Sequence, residues 1–408
     1  MKIGIIRERK NPPDSRVPLS PCVCASLQAK GIDIFIEPSP SRCFSDDEYK
    51  NAGIKVSDNL EDCNVLMGVK EVPIEFLKAE KTYFFFSHTI KEQPHNRKLL
   101  QSILQKKIRL IDYEVLTDAN GKRVIAFGGF AGMVGAHNAL WTYGKRTKAF
   151  AIPRMKDLAG YEDAKKIYKN THFPNVKIVL TGTGRVGQGA AQVLNDMGIK
   201  KVAPIDFLNN KFSQSIYTHL GTKDYMKKKD DSDFEKTDFY KNPEQFESIF
   251  EQFTAVSDIF INGIFYNKSA PAFFSKEVMK LTNFKIQVIA DVTCDIVPES
   301  SVPSTLFATT IADPVFGYNP VSEKAEAPYT EKVIDIMSID NLPNELARDA
   351  SIQFGQTFEK LILDALIEGP ENRMMKDATL TFEGSLTKKF EYLQNYVNQK
   401  NTIEAKNC

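Results

Sequence analysis

Apolar positions along the chain fall either in short runs of period two or in longer stretches spaced three and four apart, with polar turns between them. From the N-terminus "KIGIIRE" predicts a strand, "SPCVCASLQAKG" a helix opened by Ser20 and closed by Gly31, and "IDIFIEP" a strand. "SDDEYKNAG" predicts a short helix with acids in its first turn. "CNVLMGVKEV" and "TYFFFSH" predict strands, "NRKLLQSILQKK" a helix, and "IRLIDYEVL" a further strand. Strands separated by helices imply a mainly parallel sheet covered on both faces. Ligands of such sheets bind beyond the carboxyl ends of the strands. Lys70, His88 and Glu114 each close one of these runs, which makes all three candidates for a site.

From Val124 to Trp141 the chain carries no formal charge for 18 residues, the length of a membrane span. Four glycines, His137 and Asn138 argue against that reading. The pattern instead predicts a short strand, "RVIAF", a glycine-rich turn, and a close-packing helix joining two domains. A second unit opens at "VKIVLTGTGRVGQGAAQVLNDMG", where a strand runs into Gly182, Gly184 and Gly187 with G-x-G-x-x-G spacing and a helix follows. The first glycine permits a tight turn, the second lets backbone approach a pyrophosphate, and the third lets helix and strand pack closely. Arg185 and Val186 complete this loop. The next predicted strand, "KKVAPID", ends in Asp206, 19 residues after Gly187, where a carboxylate would take the ribose hydroxyls of NAD and repel the extra phosphate of NADP. "DIFINGI", "KIQVIADVT" and "TLFATTI" are the later strands, and Asp313 follows the last of them. An amphipathic helix from about Pro343 suggests that the chain returns to the first domain. The expectation is an α/β protein of two Rossmann-like doubly wound parallel-sheet domains with a cleft between them. Residues 1–140, completed by 325–408, would form the substrate domain, and 141–324 the dinucleotide-binding domain.

Composition narrows the partners. A hydrophobic share of 42% over 408 residues supplies core enough for two domains. A formal net charge of +1 gives no field for nucleic acid or an anionic membrane, so neither is expected. "MKKKDDSDFEK" neutralises itself and reads as a solvated insertion. Six cysteines (Cys22, Cys24, Cys43, Cys63, Cys294, Cys408) lack metal-ligand spacing, and no metal is expected. No basic-then-apolar stretch opens the chain, so the expectation is a reducing cytoplasm.

"IGIIRERKNPPDSRVPLSP", "GVKEVP", "FFFSHTIKEQP", "GKRVIAFGGFAG", "LTGTGRVGQGA", "ADVTCDI", "ADPVFGYNP" and "DNLPNEL" resemble the saccharopine dehydrogenase and lysine-ketoglutarate reductase group of the alanine dehydrogenase and transhydrogenase superfamily, in order over residues 1 to 370. The superfamily likeness rests on the N-terminal and glycine motifs, and the group likeness on "FSHTIKEQ", "VTCDI" and "DNLP". The separate saccharopine-to-glutamate domain of the bifunctional animal and plant enzymes has no counterpart here, which implies one of their two steps.

The resemblance implies an NAD(P)-dependent enzyme that interconverts saccharopine with L-lysine and 2-oxoglutarate, by hydride transfer and imine hydrolysis. By resemblance Lys70 and His88 are its acid/base pair, Arg16 and Arg123 bind substrate carboxylates, and Glu71 and Glu114 balance charge or meet the substrate's ammonium groups. Asp313, with Asp291 and Asp295, would line the nicotinamide end. NAD is the expected cofactor, with NADP as the alternative. An alanine or other opine-type dehydrogenase and a non-catalytic nucleotide sensor are the competing readings. A lone histidine after an aromatic strand is often structural; His95, His137 and Cys294 are read that way.

Overall fold

The structure is a computed structural model and describes residues 1–399; Cys408 lies outside the described residues. Two units form: Met1–Ala126 with the chain from Ala347 onward, and Phe127–Leu346. Both expected limits are corrected, since the first falls before residue 140 and the second after residue 324. The helix Gly128–Thr147 lies wholly in the second unit. A side chain at Gly132 would sit 1.8 Å from the Val186 carbonyl oxygen and one at Gly189 2.0 Å from that of Gly129, so these small residues allow it to lie against the helix Arg185–Asp196. The second boundary moves because strands Lys324–Glu326 and Ile334–Met337 belong to the second sheet.

In the first unit the strands run in the order Ser385–Leu386, Thr379–Phe382, Arg109–Asp112, Thr82–Phe85, Val65–Met67, Lys2–Ile5, Asp33–Ile36, Lys55–Val56. Thr379–Phe382 pairs antiparallel with the strand on each side of it and alone runs against the others, which share one direction. Ile5 lies opposite Met67, Met67 opposite Phe84, and Phe84 opposite Ile111, so the carboxyl ends of the four middle strands share one rim. Tyr83, Phe84 and Phe85 are fully buried and fix that register, because a one-residue slip would exchange the two faces. The short helix Asp46–Asn51 begins with a capping box between Ser45 and Glu48. "RVIAF" forms no strand; Arg123 makes only an isolated bridge with Thr117, and its Nε donates to the Ile125 carbonyl at 2.8 Å, bending the segment. The late helix starts at Leu342–Leu346, runs as Ala347–Thr357 and passes through a π turn, Phe358–Ile362, to Leu363–Glu368. It packs on the N-terminal segment, where the Val17 amide donates to Ser351 Oγ at 2.9 Å.

In the second unit the order is Lys324–Glu326, Phe316–Asn319, Ile334–Met337, Val288–Asp291, Ile259–Asn262, Lys177–Thr181, Ile216–Leu220, Lys200–Lys201. Only Phe316–Asn319 runs against the others, pairing antiparallel with the strand on each side of it. "TLFATTI" yields only a bridge from Thr309 to Ile339. "KKVAPID" yields a two-residue edge strand and then a helix, Pro204–Asn209, because Pro204 cannot donate to a ladder and suits a first helical turn. The charged insertion is not merely solvated. Met226–Lys228 pairs with Phe246–Ser248, and Phe239 and Phe246 pack edge to face at 5.2 Å between centroids. No helix among the described residues is long and apolar enough to cross a membrane.

Candidate active site

Just past the paired ends of Lys2–Ile5 and Val65–Met67 the chains continue side by side, the Ile6 amide donating to the Met67 carbonyl at 2.9 Å. Extending that register sets Glu8 against Lys70. The Glu8 carboxylate accepts from the amides of Val69 at 2.6 Å and Lys70 at 3.0 Å, fixing the backbone that carries the lysine. Burial pushes the Glu8 carboxyl up to about 8, Asp14 adds to the rise, and the two amides and Arg16 oppose it. Sequence reasoning missed this residue, although the parallel register of adjacent strands contains the signal. Lys70 itself is held below its ordinary value by burial and then by the Arg16 guanidinium, against the opposing pull of Asp14 and Glu71.

Glu71 lies between His88 and Lys10. Its Oε1 is 2.6 Å from His88 Nδ1 and its Oε2 accepts from Lys10 Nζ at 3.1 Å. Burial would raise this carboxyl, but the hydrogen bond and charge of His88, with Lys10, bring it down to about 2. His88 has left-handed backbone, φ 52°, one residue beyond an amide locked to Asp112. Ser87 Oγ also donates to that buried carboxylate and lies 2.7 Å from Thr89 Oγ1. The hydroxyl residues flanking His88 therefore hold the turn, and the imidazole projects from it, near parallel to Phe86 at 6.4 Å between centroids.

Arg16 is buried and its plane is fixed by Asp14, which takes Nε at 2.9 Å and Nη2 at 2.6 Å. At the end of Arg109–Asp112, Glu114 Oε1 lies 3.4 Å from Lys91 Nζ and 3.5 Å from Arg123 Nη1. Its Oε2 is buried with no hydrogen-bond partner among the described residues. Arg123 also lies over Phe86, 5.6 Å from the ring centroid, so Phe86 separates His88 from the Glu114–Arg123 pair. The first unit thus brings together all six of the residues expected in it, with Lys10, Asp14 and Glu8 added.

In the second unit Gly182 has φ +94°, and a side chain at Gly187 would lie 1.5 Å from the Gly182 carbonyl oxygen. Gly184 differs: nothing lies within 4 Å of where its side chain would stand, and it opens the helix Arg185–Asp196 without a side-chain cap. A helix N-terminus beside open space fits a dinucleotide pyrophosphate. Val186 packs inward against Gly128 and Gly132, while Arg185 begins the helix. A cavity of about 400 Å³ adjoins the loop, lined by Thr183, Gly184, Thr222, Lys236, Tyr240 and Phe265 among others.

The placement expected for Asp206 is wrong. The neighbour of Lys177–Thr181 is Ile216–Leu220, and Lys200–Lys201 is pushed to the edge. Lys177, at the amino end of its strand, donates to the Phe207 carbonyl and lies over the Phe207 ring at 4.5 Å. Asp206 therefore sits exposed toward the rim opposite the glycine loop, accepting from Asn210 Nδ2 at 3.1 Å. The strand that does end beside the loop is followed by Gly221 and Thr222, and the nearby Asp224 carboxylate is taken by the Gly221 amide at 2.8 Å. Asp313 follows no strand; it is exposed in a turn with Thr310, just past the bridge from Thr309 to Ile339. Asp291 is fully buried, holds Asn262, Thr305 and the Cys294 amide, and is pushed up to about 6 by burial, the signature of a structural carboxyl. His137 is likewise structural, between Tyr168 OH at 2.7 Å and the Pro153 carbonyl at 2.8 Å.

Residues 4–134 match the family model of the alanine dehydrogenase/PNT N-terminal domain. The chain is 29% identical to an alpha-aminoadipic semialdehyde synthase of Arabidopsis thaliana over 99% of its own length and 42% of that protein's. It is also 29% identical to the mitochondrial enzyme of that name from Mus musculus, over 98% and 48%. It thus spans less than half the length of these two relatives. A saccharopine dehydrogenase of Emericella nidulans, described as using NAD and forming L-lysine, is 28% identical over 88% of this chain and 90% of its own. Among solved structures, an L-alanine dehydrogenase superposes with a TM-score of 0.65 at 16% identity, covering 97% of this chain and all of that one. The transhydrogenase from Sinorhizobium meliloti gives 0.59 at 13%, covering 95% of this chain and 100% of that one.

Proposed function

We propose that this chain, similar over most of its length to saccharopine dehydrogenases and alpha-aminoadipic semialdehyde synthases, interconverts saccharopine with L-lysine and 2-oxoglutarate. The observation that carries this reading is the pairing, on one sheet rim, of a lysine held below its ordinary value with a histidine hydrogen-bonded to a carboxylate. Two proton-transfer groups suit a reaction with two proton-transfer steps.

In the oxidative direction Lys70, neutral, takes the proton of the substrate's secondary amine. A nicotinamide dinucleotide held at Gly182, Gly184 and Gly187 would supply the hydride acceptor for the adjacent carbon, and the substrate would become an imine. His88 removes a proton from the water that adds to the imine carbon, the carbon–nitrogen bond then breaks, and the departing amine of lysine takes a proton. Arg16, oriented by Asp14, and Arg123 hold carboxylates of the substrate. Glu114, whose Oε2 has no protein partner among the described residues, meets an ammonium group.

The cofactor is a nicotinamide dinucleotide, and we infer NADP(H) rather than NAD. With Asp206 on the other rim, no acidic side chain among the described residues lines the cavity beside the loop, while Thr222 and Lys236 do. A hydroxyl and an ammonium suit a 2′-phosphate, as a carboxylate would not.

A panel of amino-acid and keto-acid pairs with NADPH and NADH, read at the nicotinamide absorbance, tests both points. Turnover is expected with lysine and 2-oxoglutarate and NADPH. Oxidation of NAD(P)H with ammonia and a keto acid, but not with lysine, would replace this reading by an amino-acid dehydrogenase. Lys236→Glu should shift the ratio of kcat/KM toward NADH, and Asp206→Ser should leave it unchanged.

A further inference from the structure

A second cavity, of about 480 Å³, lies in the first unit where the hairpin Thr379–Phe382 and Ser385–Leu386 closes over the edge of the sheet. Its wall includes Arg109, the first residue of Arg109–Asp112. Asp112, at the far end of that strand, holds the turn beside His88, and the cavity shares none of its lining residues with the candidate active site.

Arg109, Lys376, Lys388 and Lys389 all line it. Glu371 and Asp377 share the wall, so basic side chains outnumber acidic ones there, and Asp377 is drawn to Arg373 at 3.7 Å. Arg109 Nη2 donates to Thr379 Oγ1 at 3.3 Å, but its Nε is buried with no hydrogen-bond partner among the described residues. Lys389 Nζ donates to the Asp377 carbonyl at 3.0 Å and lies 5.8 Å from the Phe390 ring centroid, with no ion pair among the described residues. Lys376 stands 3.8 Å from Glu371, in a pair largely exposed to water and therefore weak. Lys388 makes no ion pair among the described residues. An anion in the cavity would offset the charge that the guanidinium and the lysines share on this wall. Pro370 and Phe382, the latter 47% exposed, add apolar surface to the same wall.

We propose that this cavity binds a small organic anion with two or more negative charges and an apolar portion, at a site separate from the one that holds Lys70 and His88. Arg109 supplies a planar donor edge and the lysines supply point charges, the combination that receives carboxylate or phosphate groups. Phe382 and Pro370 cover the carbon skeleton.

The test is titration calorimetry of the full chain with isophthalate, an aromatic dicarboxylate, and with pyrophosphate, which separates carboxylate from phosphate as the source of charge. At least one probe should bind with one-to-one stoichiometry. The double variant Lys388→Gln/Lys389→Gln should weaken it by about tenfold or more, and Gly184→Asp in the dinucleotide loop should not. Arg109→Gln should do the same as the lysine pair; should it fail to fold, the exposed lysines still decide the matter. Absence of binding by both probes at millimolar concentration would overturn the proposal. So would a loss of binding in Gly184→Asp with none in the lysine variant, since the probe would then occupy the dinucleotide loop.

Discussion

Lys70 is balanced between two pairs of neighbours: Arg16 and Lys10 favour its neutral form, while Asp14 and Glu71 favour the ammonium. Burial tips the balance toward the neutral form, which a general base needs. Lys70→Met and His88→Gln should therefore fold and bind dinucleotide yet lose ~10² to 10⁴-fold in turnover; wild-type rates in both would remove them from the mechanism. Glu71→Gln deletes one charge that raises Lys70, so the acidic limb of the kcat/KM profile should move to lower pH. A shift upward would mean that another group sets that limb. Glu8 makes a separate stability prediction. Its carboxyl goes from an ordinary 4.5 to about 8 on folding, so the folded state binds the extra proton between those values. Stability from this group is complete below about 4.5 and falls as pH rises through 8. Thermal melts of Glu8→Gln should decline less over that window than wild type, and an identical slope would show that the group does not titrate there. The positions of Lys70 and His88 were legible because strand ends can be read from periodicity. Glu8 was not, because its partner is backbone of a strand 60 residues away in sequence, visible only once the parallel register is known.

The glycine loop separates packing from binding within one element. Gly187→Ala would drive a methyl into the Gly182 carbonyl, and no flexible side chain is there to yield, so the second unit should lose stability, by about 1–3 kcal/mol or more. Gly184→Val has open room in the protein and closes only the space before the helix amides. Its melting temperature should stay near wild type while dinucleotide affinity falls by tenfold or more; equal affinity would place the pyrophosphate elsewhere. Here the sequence was read correctly, since strand, three glycines and helix are contiguous and local. Asp206 was misread for the opposite reason. Which strand lies beside Lys177–Thr181 is a question of crossover, and the chain interposes an edge strand and the Pro204–Asn209 helix before Ile216–Leu220 takes the neighbouring place. "RVIAF" failed similarly: an apolar pentapeptide with β-propensity becomes a bend when its arginine caps its own backbone and no neighbouring strand is available.

At the scale of the whole chain, the mainly parallel α/β plan was legible from the alternation of elements, while the antiparallel strands at one edge of each sheet were not. Thr379–Phe382 comes long after its partner Arg109–Asp112, and nothing in its local pattern names that partner. The late segment is integral to the first unit. Leu380 is fully buried beside Leu110, Thr381 Oγ1 donates to the Ile108 carbonyl at 2.8 Å, and Ser351 holds the Val17 amide next to Arg16. The strands of the second sheet, by contrast, all lie between Lys177 and Met337, in one continuous stretch of chain. A chain ending at Leu346 should therefore part the two behaviours. The unit from Phe127 to Leu346 should still melt cooperatively and bind NADPH with affinity close to that of the full chain. The first unit, deprived of its edge strand and of the helix behind Arg16, should show neither protection from protease nor turnover. If instead the shortened chain kept its activity, Arg16 and Lys70 would not need the late segment to hold them. If it lost NADPH binding together with activity, the second unit would not fold independently.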